Sequence, residues 1–168
     1  IKEHGVIQPI VVTPKGDKYE IVAGERRYRA SSLAGLKEVP VIIRTLSDQN
    51  QLEVSLVENI QRRDLNAIET AIAYAKLRDQ FNLSNEQIAA RVHKSSSSIV
   101  NTMRLLKLPK EAIALVAEGT LREGQVRPLI GQDEALILEI LPKIVKEEWS
   151  ARKVEQYVVD LKRASEAS

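Results

Sequence analysis

Cysteine is absent from the 168 residues. That removes disulfides, thiolate zinc ligands, thiol nucleophiles and iron–sulfur clusters together, and it fits a reducing compartment. Histidine is scarce: His4 and His93 are the two present, so a histidine-built metal site is not expected. One Trp, four Tyr and one Phe stand against 43% hydrophobic residues, so the core must come from Leu, Ile, Val and Ala, a palette that favours helices. No run approaches the roughly 18 apolar residues of a membrane span, and no charged-then-apolar leader opens the chain, so a soluble protein without membrane contact is expected. Charge of one sign is not in excess either. The 25 Lys+Arg and 23 Asp+Glu leave +2, and any nucleic-acid contact has to be local rather than spread over a basic coat. Walker, dinucleotide and HExxH signatures are missing, which excludes the commonest nucleotide and zinc-hydrolase solutions.

What is present divides the chain. Ile10-Val11-Val12 and Tyr19-Glu20-Ile21-Val22 flank the turn residues Pro14 to Asp17 and predict a hairpin; Val39 to Ile43 predicts a third strand. Glu25 to Ala34, between Gly24 and Gly35, predicts a helix of about ten residues. Beyond residue 46 the pattern is helical. Ser47 is the expected cap of a helix bearing Leu52, Leu56 and Ile60. Asn66 with Glu69 begins another, carrying Ile68, Ile72 and Ala75, and Ser84 to Gln87 has the spacing of a capping box. Ala89, His93 and Ile99 follow at helix-turn-helix spacing, with Ile99, Met103 and Leu106 expected inward and Ser97, Ser98, Asn101 and Arg104 outward. Helices are expected over 110–118, 122–130 and 133–141, the last interrupted at Pro142. Ser150 should cap a final helix with Val154, Tyr157, Val158 and Leu161 on one stripe. Ile1 to Gly5 reads as the last turn of an earlier helix and Ala164 to Ser168 as a linker, so further domains are expected on both sides. The fold class is α+β: a small α/β domain followed by an all-α helix-turn-helix domain and further helices.

Two clusters carry chemistry. Gly24-Glu25-Arg26-Arg27 lies at a strand–glycine–helix junction, where unpaired helix amides and forked guanidinium donors suit phosphate oxygens. A solvated basic helix face is the competing reading. In Glu58-Asn59-Ile60-Gln61-Arg62, Glu58 is a candidate Mg²⁺ ligand or water-orienting base, Asn59 a candidate phosphate or metal contact, and Arg62 a candidate for the outer phosphates. An ordinary helix end with cations set against its dipole is the alternative. In the helix-turn-helix, Arg91, Lys94, Arg104 and Lys107 gather although the total charge is nearly balanced; an ordinary helical pair would use similar spacings.

Taken in order, Gly5-Val6-Ile7-Gln8-Pro9-Ile10, Gly24-Glu25-Arg26-Arg27-Tyr28-Arg29-Ala30, Glu58-Asn59-Ile60-Gln61-Arg62 and Met103 to Pro109 resemble the ParB family of partition proteins, which includes the nucleoid-occlusion factor Noc. The resemblance spans nearly the whole chain. It implies a CTP-binding α/β domain over 1–64 without the family's first strand, and a helix-turn-helix domain over 65–110. Residues 111–168 would complete that domain or pack between protomers. It also implies a homodimeric, CTP-gated clamp on a parS-like palindrome in double-stranded DNA, with Mg²⁺ and slow CTP hydrolysis serving as a switch, in a cytoplasmic, nucleoid-associated protein. A ParA-type ATPase and an SMC condensin are partners by the same resemblance.

By motif, Gly24, Arg26 and Arg27 would cradle the triphosphate and Glu25 would lie near the reacting phosphates. Glu58 and Asn59 would serve metal and phosphates, Arg62 the outer phosphates, and Gln8 would border the pocket. Glu25 and Glu58 are thus the catalytic candidates. Lys94, Ser95, Ser96, Ser97, Ser98, Asn101, Arg104 and Lys107 are the DNA-contact candidates. The chain departs from the family in having Ser96 where Arg is frequent, His93 where Gly is, and Gln125 where His is. A Noc-type factor and a plain helix-turn-helix regulator without nucleotide turnover are the alternatives.

Overall fold

The structure is a computed structural model that describes residues 5–62 and 64–166. The helix end expected at Ile1–His4 and the last residues of the expected linker lie outside the described residues. The chain forms two compact units, Ile1–Arg62 with Ala73–Ser96, and Arg63–Ile72 with Ser97–Ser168.

In the first unit, β1 (Ile10–Lys15) and β2 (Lys18–Ala23) form the expected hairpin, turning at Gly16 with φ 60°. After α1 (Glu25–Leu33), β3 (Val41–Ile43) pairs parallel to β1, giving the order β2-β1-β3. The middle strand is paired on both edges, and its Ile10, Val11 and Val12 are all buried. A continuous apolar run is what a strand covered on both faces requires.

The helix α2 (Leu46–Ile60) starts two residues earlier than its expected cap allows. Thr45, not Ser47, accepts the Asp48 amide at 3.1 Å. Of its Leu52, Leu56 and Ile60, Ile60 alone is buried. In α3 (Ala67–Phe81) the reciprocal bonds of Asn66 and Glu69 are present, 3.0 Å from the Asn66 amide to the Glu69 carboxylate and 2.8 Å from the Glu69 amide to Asn66 Oδ1. Its buried positions are Ile68, Ala71, Ala73, Tyr74 and Leu77, whereas Ile72 is exposed. The α4 helix (Asn85–Val92) opens on the full Ser84–Gln87 capping box and closes at His93 in the left-handed region, φ 55° and ψ 46°. A non-glycine residue there is uncommon, and His tolerates it better than most.

The second unit is built on one apolar cluster. The α5 helix (Ser96–Arg104) continues into a 3₁₀ turn, Leu105–Lys107. Ile99 and Met103 are buried as expected, but the next buried position is Leu105 and Leu106 is half-buried. The tighter turn breaks the 3.6-residue period. The chain then forms α6 (Lys110–Ala117), and the helix expected over 122–130 divides into a short α7 (Glu123–Val126) and a 3₁₀ turn at Arg127–Leu129. Next, α8 (Glu134–Lys146) runs through Pro142 instead of stopping there. Ile137, Ile140, Leu141 and Ile144 bury one stripe on both sides of the proline. Burying each such side chain stabilises by about 1.5–3 kcal/mol, which together outweighs the roughly 3 kcal/mol an internal proline costs. Ser150 caps α9 (Ala151–Glu166) through the Lys153 amide at 3.2 Å, and Val154 and Val158 are buried on it.

Candidate nucleotide cleft and nucleic-acid interface

The β2 strand ends at the buried Ala23, and Gly24 makes the corner into α1 at φ 103° and ψ 22°. No side chain caps α1, so the amides of its first turn have no side-chain acceptor. A Cβ on Gly24 would lie 3.1 Å from Arg27 Nη2 and 3.3 Å from Ile10 Cγ2, so glycine is required by both conformation and space. Gly24, Glu25, Arg26 and Arg27 line a cleft of about 360 Å³ with Arg78, Asp79, Asn82, Leu83 and Ser84.

Arg27 is half-buried and fixed at both ends of its fork. Nη1 donates to the Gln8 carbonyl at 2.7 Å and the Pro9 carbonyl at 2.6 Å; Nη2 donates to the Asp79 carbonyl at 2.7 Å. Among the described residues no carboxylate pairs with it. Glu25 pairs instead with Arg29 at 3.1 Å, and Asp79 with Arg78 at 2.8 Å, which together with a second bond raises the Arg78 guanidinium above its ordinary value. The cleft therefore holds a partly desolvated cation compensated by carbonyl dipoles alone, beside the positive end of a helix.

Gln8 does not line the cleft; its carbonyl accepts Arg27 Nη1 from behind it. Glu58 and Asn59 are exposed on the last turn of α2, where Glu58 lines a separate depression with Asn50, Gln51, Val54 and Ser55. Arg62 follows just beyond, its amide bonded to the Asn59 carbonyl at 3.2 Å. The structure thus joins Gly24, Glu25, Arg26 and Arg27, and keeps Glu58 apart from them. Among the described residues there is no group of three or more acidic or histidine side chains suited to a metal ion. Arg78, Asp79 and Asn82 were missed in the sequence. Their only signal there is the charge pair Arg78-Asp79, which nothing local connects to Gly24.

The DNA-contact candidates divide by exposure. Lys94, Ser95, Ser97, Arg104 and Lys107 are exposed; Ser96, Ser98 and Asn101 are half-buried. Ser96 Oγ lies 3.4 Å from the Glu86 carboxylate. That carboxyl sits below its usual range, held first by its own backbone amide, then by the hydroxyls of Ser84 and Ser96. No helix among the described residues is long and apolar enough to cross a membrane.

These features define a helix-turn-helix protein with an arginine-lined cleft on a small α/β unit. Comparison with known proteins places it. The ParB N-terminal domain model matches residues 1–60, and the ParB HTH domain model matches 63–163. The chain belongs to the ParB family. It is 47% identical over 158 residues to a probable chromosome-partitioning protein ParB of Coxiella burnetii, covering 94% of this chain and 54% of that protein. To a nucleoid occlusion protein of Bacillus thuringiensis it is 44% identical over 163 residues, covering 96% and 56%. The chain therefore spans about half the length of the curated relatives it matches. A crystal structure of C-terminally truncated ParB from Caulobacter crescentus, complexed to the centromeric parS site, matches at 39% identity with a TM-score of 0.63, covering 95% of this chain and 84% of that one.

Proposed function

We propose that this chain is the nucleotide- and DNA-binding part of a partition protein that binds a parS-like palindrome as a homodimer and closes on DNA as a CTP-gated clamp. The observation that carries the nucleotide half is Arg27, a half-buried guanidinium without a counter-ion among the described residues, set in a cleft beside the uncapped start of α1. A polyphosphate supplies the missing negative charge and accepts the free amides. In this reading residues 1–64 take the nucleotide, 65–110 recognise DNA, and 111–168 complete the helical part.

Gly24 lets the phosphates approach the main chain, Arg26 and Arg27 offset their charge, and Glu25 stands near the reacting phosphates. Hydrolysis consumes CTP and water and releases CDP and phosphate. Mg²⁺, when bound, would neutralise phosphate charge. With no cluster of three carboxylates or histidines to hold it among the described residues, its ligands would be mainly phosphate oxygens, with the Glu58 carboxylate and the Asn59 amide as protein donors. Since Glu58 lines a different depression, we place it and Asn59 at the nucleotide only after α2 has moved on closure. Arg62 would then meet the outer phosphates. On DNA, Ser97, Asn101 and Arg104 of α5 supply the contacts, with Lys94 and Lys107 at phosphates.

The near-equal identity to the nucleoid occlusion protein supports a second reading in which the same clamp serves nucleoid occlusion. Phosphate release from CTP by the full-length protein, with and without a parS duplex, tests the common core. Release stimulated by the duplex is expected. Absence of release in both conditions reduces the protein to an operator-binding regulator.

A further inference from the structure

The last carbonyls of a helix have no partner within it. At the end of α3 two consecutive ones are met by side chains from elsewhere in the same unit. The Asp79 carbonyl takes Arg27 Nη2 at 2.7 Å, and the Gln80 carbonyl takes Gln49 Nε2 at 2.5 Å. Gln49 is 5% exposed, and its other amide atom accepts Arg44 Nη1 at 3.2 Å. The C-terminus of α3 is thus capped at two points, once by a charged group from α1 and once by a neutral group from α2.

The two bonding edges of Arg27 face different surroundings. Nη1 holds Gln8 and Pro9, which do not line the cleft, whereas Nη2 is the atom nearest the missing Cβ of Gly24 and bonds Asp79, and Gly24 and Asp79 both line it. An anion seated on the first amides of α1 meets Nη2 first. A guanidinium bond to an anionic oxygen is roughly twice as strong as one to a neutral carbonyl. We infer that Arg27 is a positioning residue for α3: its Nη2 caps the Asp79 carbonyl while the cleft is empty and transfers to a phosphate oxygen when the cleft fills, leaving the end of α3 to the neutral bonds of Gln49 and of the Leu83 amide to the Leu77 carbonyl. The nucleotide half of this inference rests on the cleft reading above. Its consequence is that occupancy of the cleft is read out as loosening of the last turn of α3, a helix that begins in the other compact unit.

Amide hydrogen exchange over residues 79–83 of the full-length protein tests it, with the cleft empty, with saturating CTP and Mg²⁺, and with inorganic tripolyphosphate. Loss of a charged cap predicts exchange faster by on the order of tenfold on loading. Arg27→Ala should show the fast exchange in every condition, and Arg27→Lys, whose single nitrogen lacks the separated Nη1 and Nη2 that reach Gln8 and Pro9 on one side and Asp79 on the other, should approach it. Unchanged or slower exchange in the wild-type protein, with calorimetry showing that ligand is bound, overturns the transfer. If tripolyphosphate speeds exchange and CTP neither binds nor does so, the transfer stands and the CTP reading falls. If neither ligand binds, both fall.

Discussion

The two compact units are held together by different means. In the second, Leu105, Ala112, Val126, Leu129, Ile140, Ile144, Trp149 and Val154 belong to one apolar cluster, joined by local caps and by a bond from Gln125 Nε2 to the Trp149 carbonyl at 2.8 Å. In the first, apolar burial is joined by long-range side-chain bonds to main chain: Arg27 to Gln8, Pro9 and Asp79, and Gln49 to Gln80. Burial is non-directional and tolerates small shifts, while a guanidinium or amide bonded to carbonyls holds one geometry and can be won over by a stronger acceptor. The contrast teaches that the unit carrying the cleft places such a competable tie, Arg27 to Asp79, at the cleft itself, whereas in the helical unit the comparable bond, Gln125 Nε2 to the Trp149 carbonyl, supplements a large apolar cluster.

Breaking the apolar cluster should have the largest effect. Ile144 is fully buried, and Ile144→Ala should destabilise the helical unit by about 2–5 kcal/mol. Denaturant unfolding followed by Trp149 fluorescence reads this, because Trp149 belongs to the same cluster. Breaking the polar tie should cost less and act elsewhere. Gln49→Leu keeps the volume but leaves the Gln80 carbonyl without its donor and Arg44 without its acceptor, a loss of about 1–3 kcal/mol. Limited proteolysis should then open the first unit while Trp149 fluorescence stays unchanged.

The smallest effect is a titration in the helical unit. The Glu147 carboxyl is held below its usual range, first by the Trp149 indole N–H at 2.7 Å and then by Lys153. A depressed carboxyl stabilises the folded form at neutral pH, and that contribution disappears as the pH falls through the unfolded value to the folded one. Glu147 is exposed, so the wild-type protein should hold only a slight advantage over Glu147→Gln at pH 7, vanishing in acid. Parallel melting curves across pH would show it, and a constant difference would remove the titration from the account.

Features written within a few residues were legible in the sequence. The Asn66–Glu69 and Ser84–Gln87 caps, the hairpin and the turn at His93 between two helices were all read locally. Where two solutions compete locally the reading slipped: Thr45 and Ser47 both offer a hydroxyl, and Pro142 stops a helix only when packing does not carry it through. At the cleft, the Gly24 corner and its arginines were visible, because a strand–glycine–helix junction is a local pattern. Arg78, Asp79 and Asn82 were not, since tertiary packing brings them there from some fifty positions away. The capping role of Arg27 was hidden for a further reason: its partners are main-chain carbonyls, which every residue type has.

The most direct measurement is a calorimetric titration of CTP with Mg²⁺ into full-length protein in the presence of a parS duplex, for the wild type and for Gly24→Ala. The account predicts saturable heat for the wild type and its loss in the variant, whose Cβ would meet Arg27 Nη2 at 3.1 Å, with the duplex still bound by both. No heat from the wild type, or equal heat from both proteins, would contradict it.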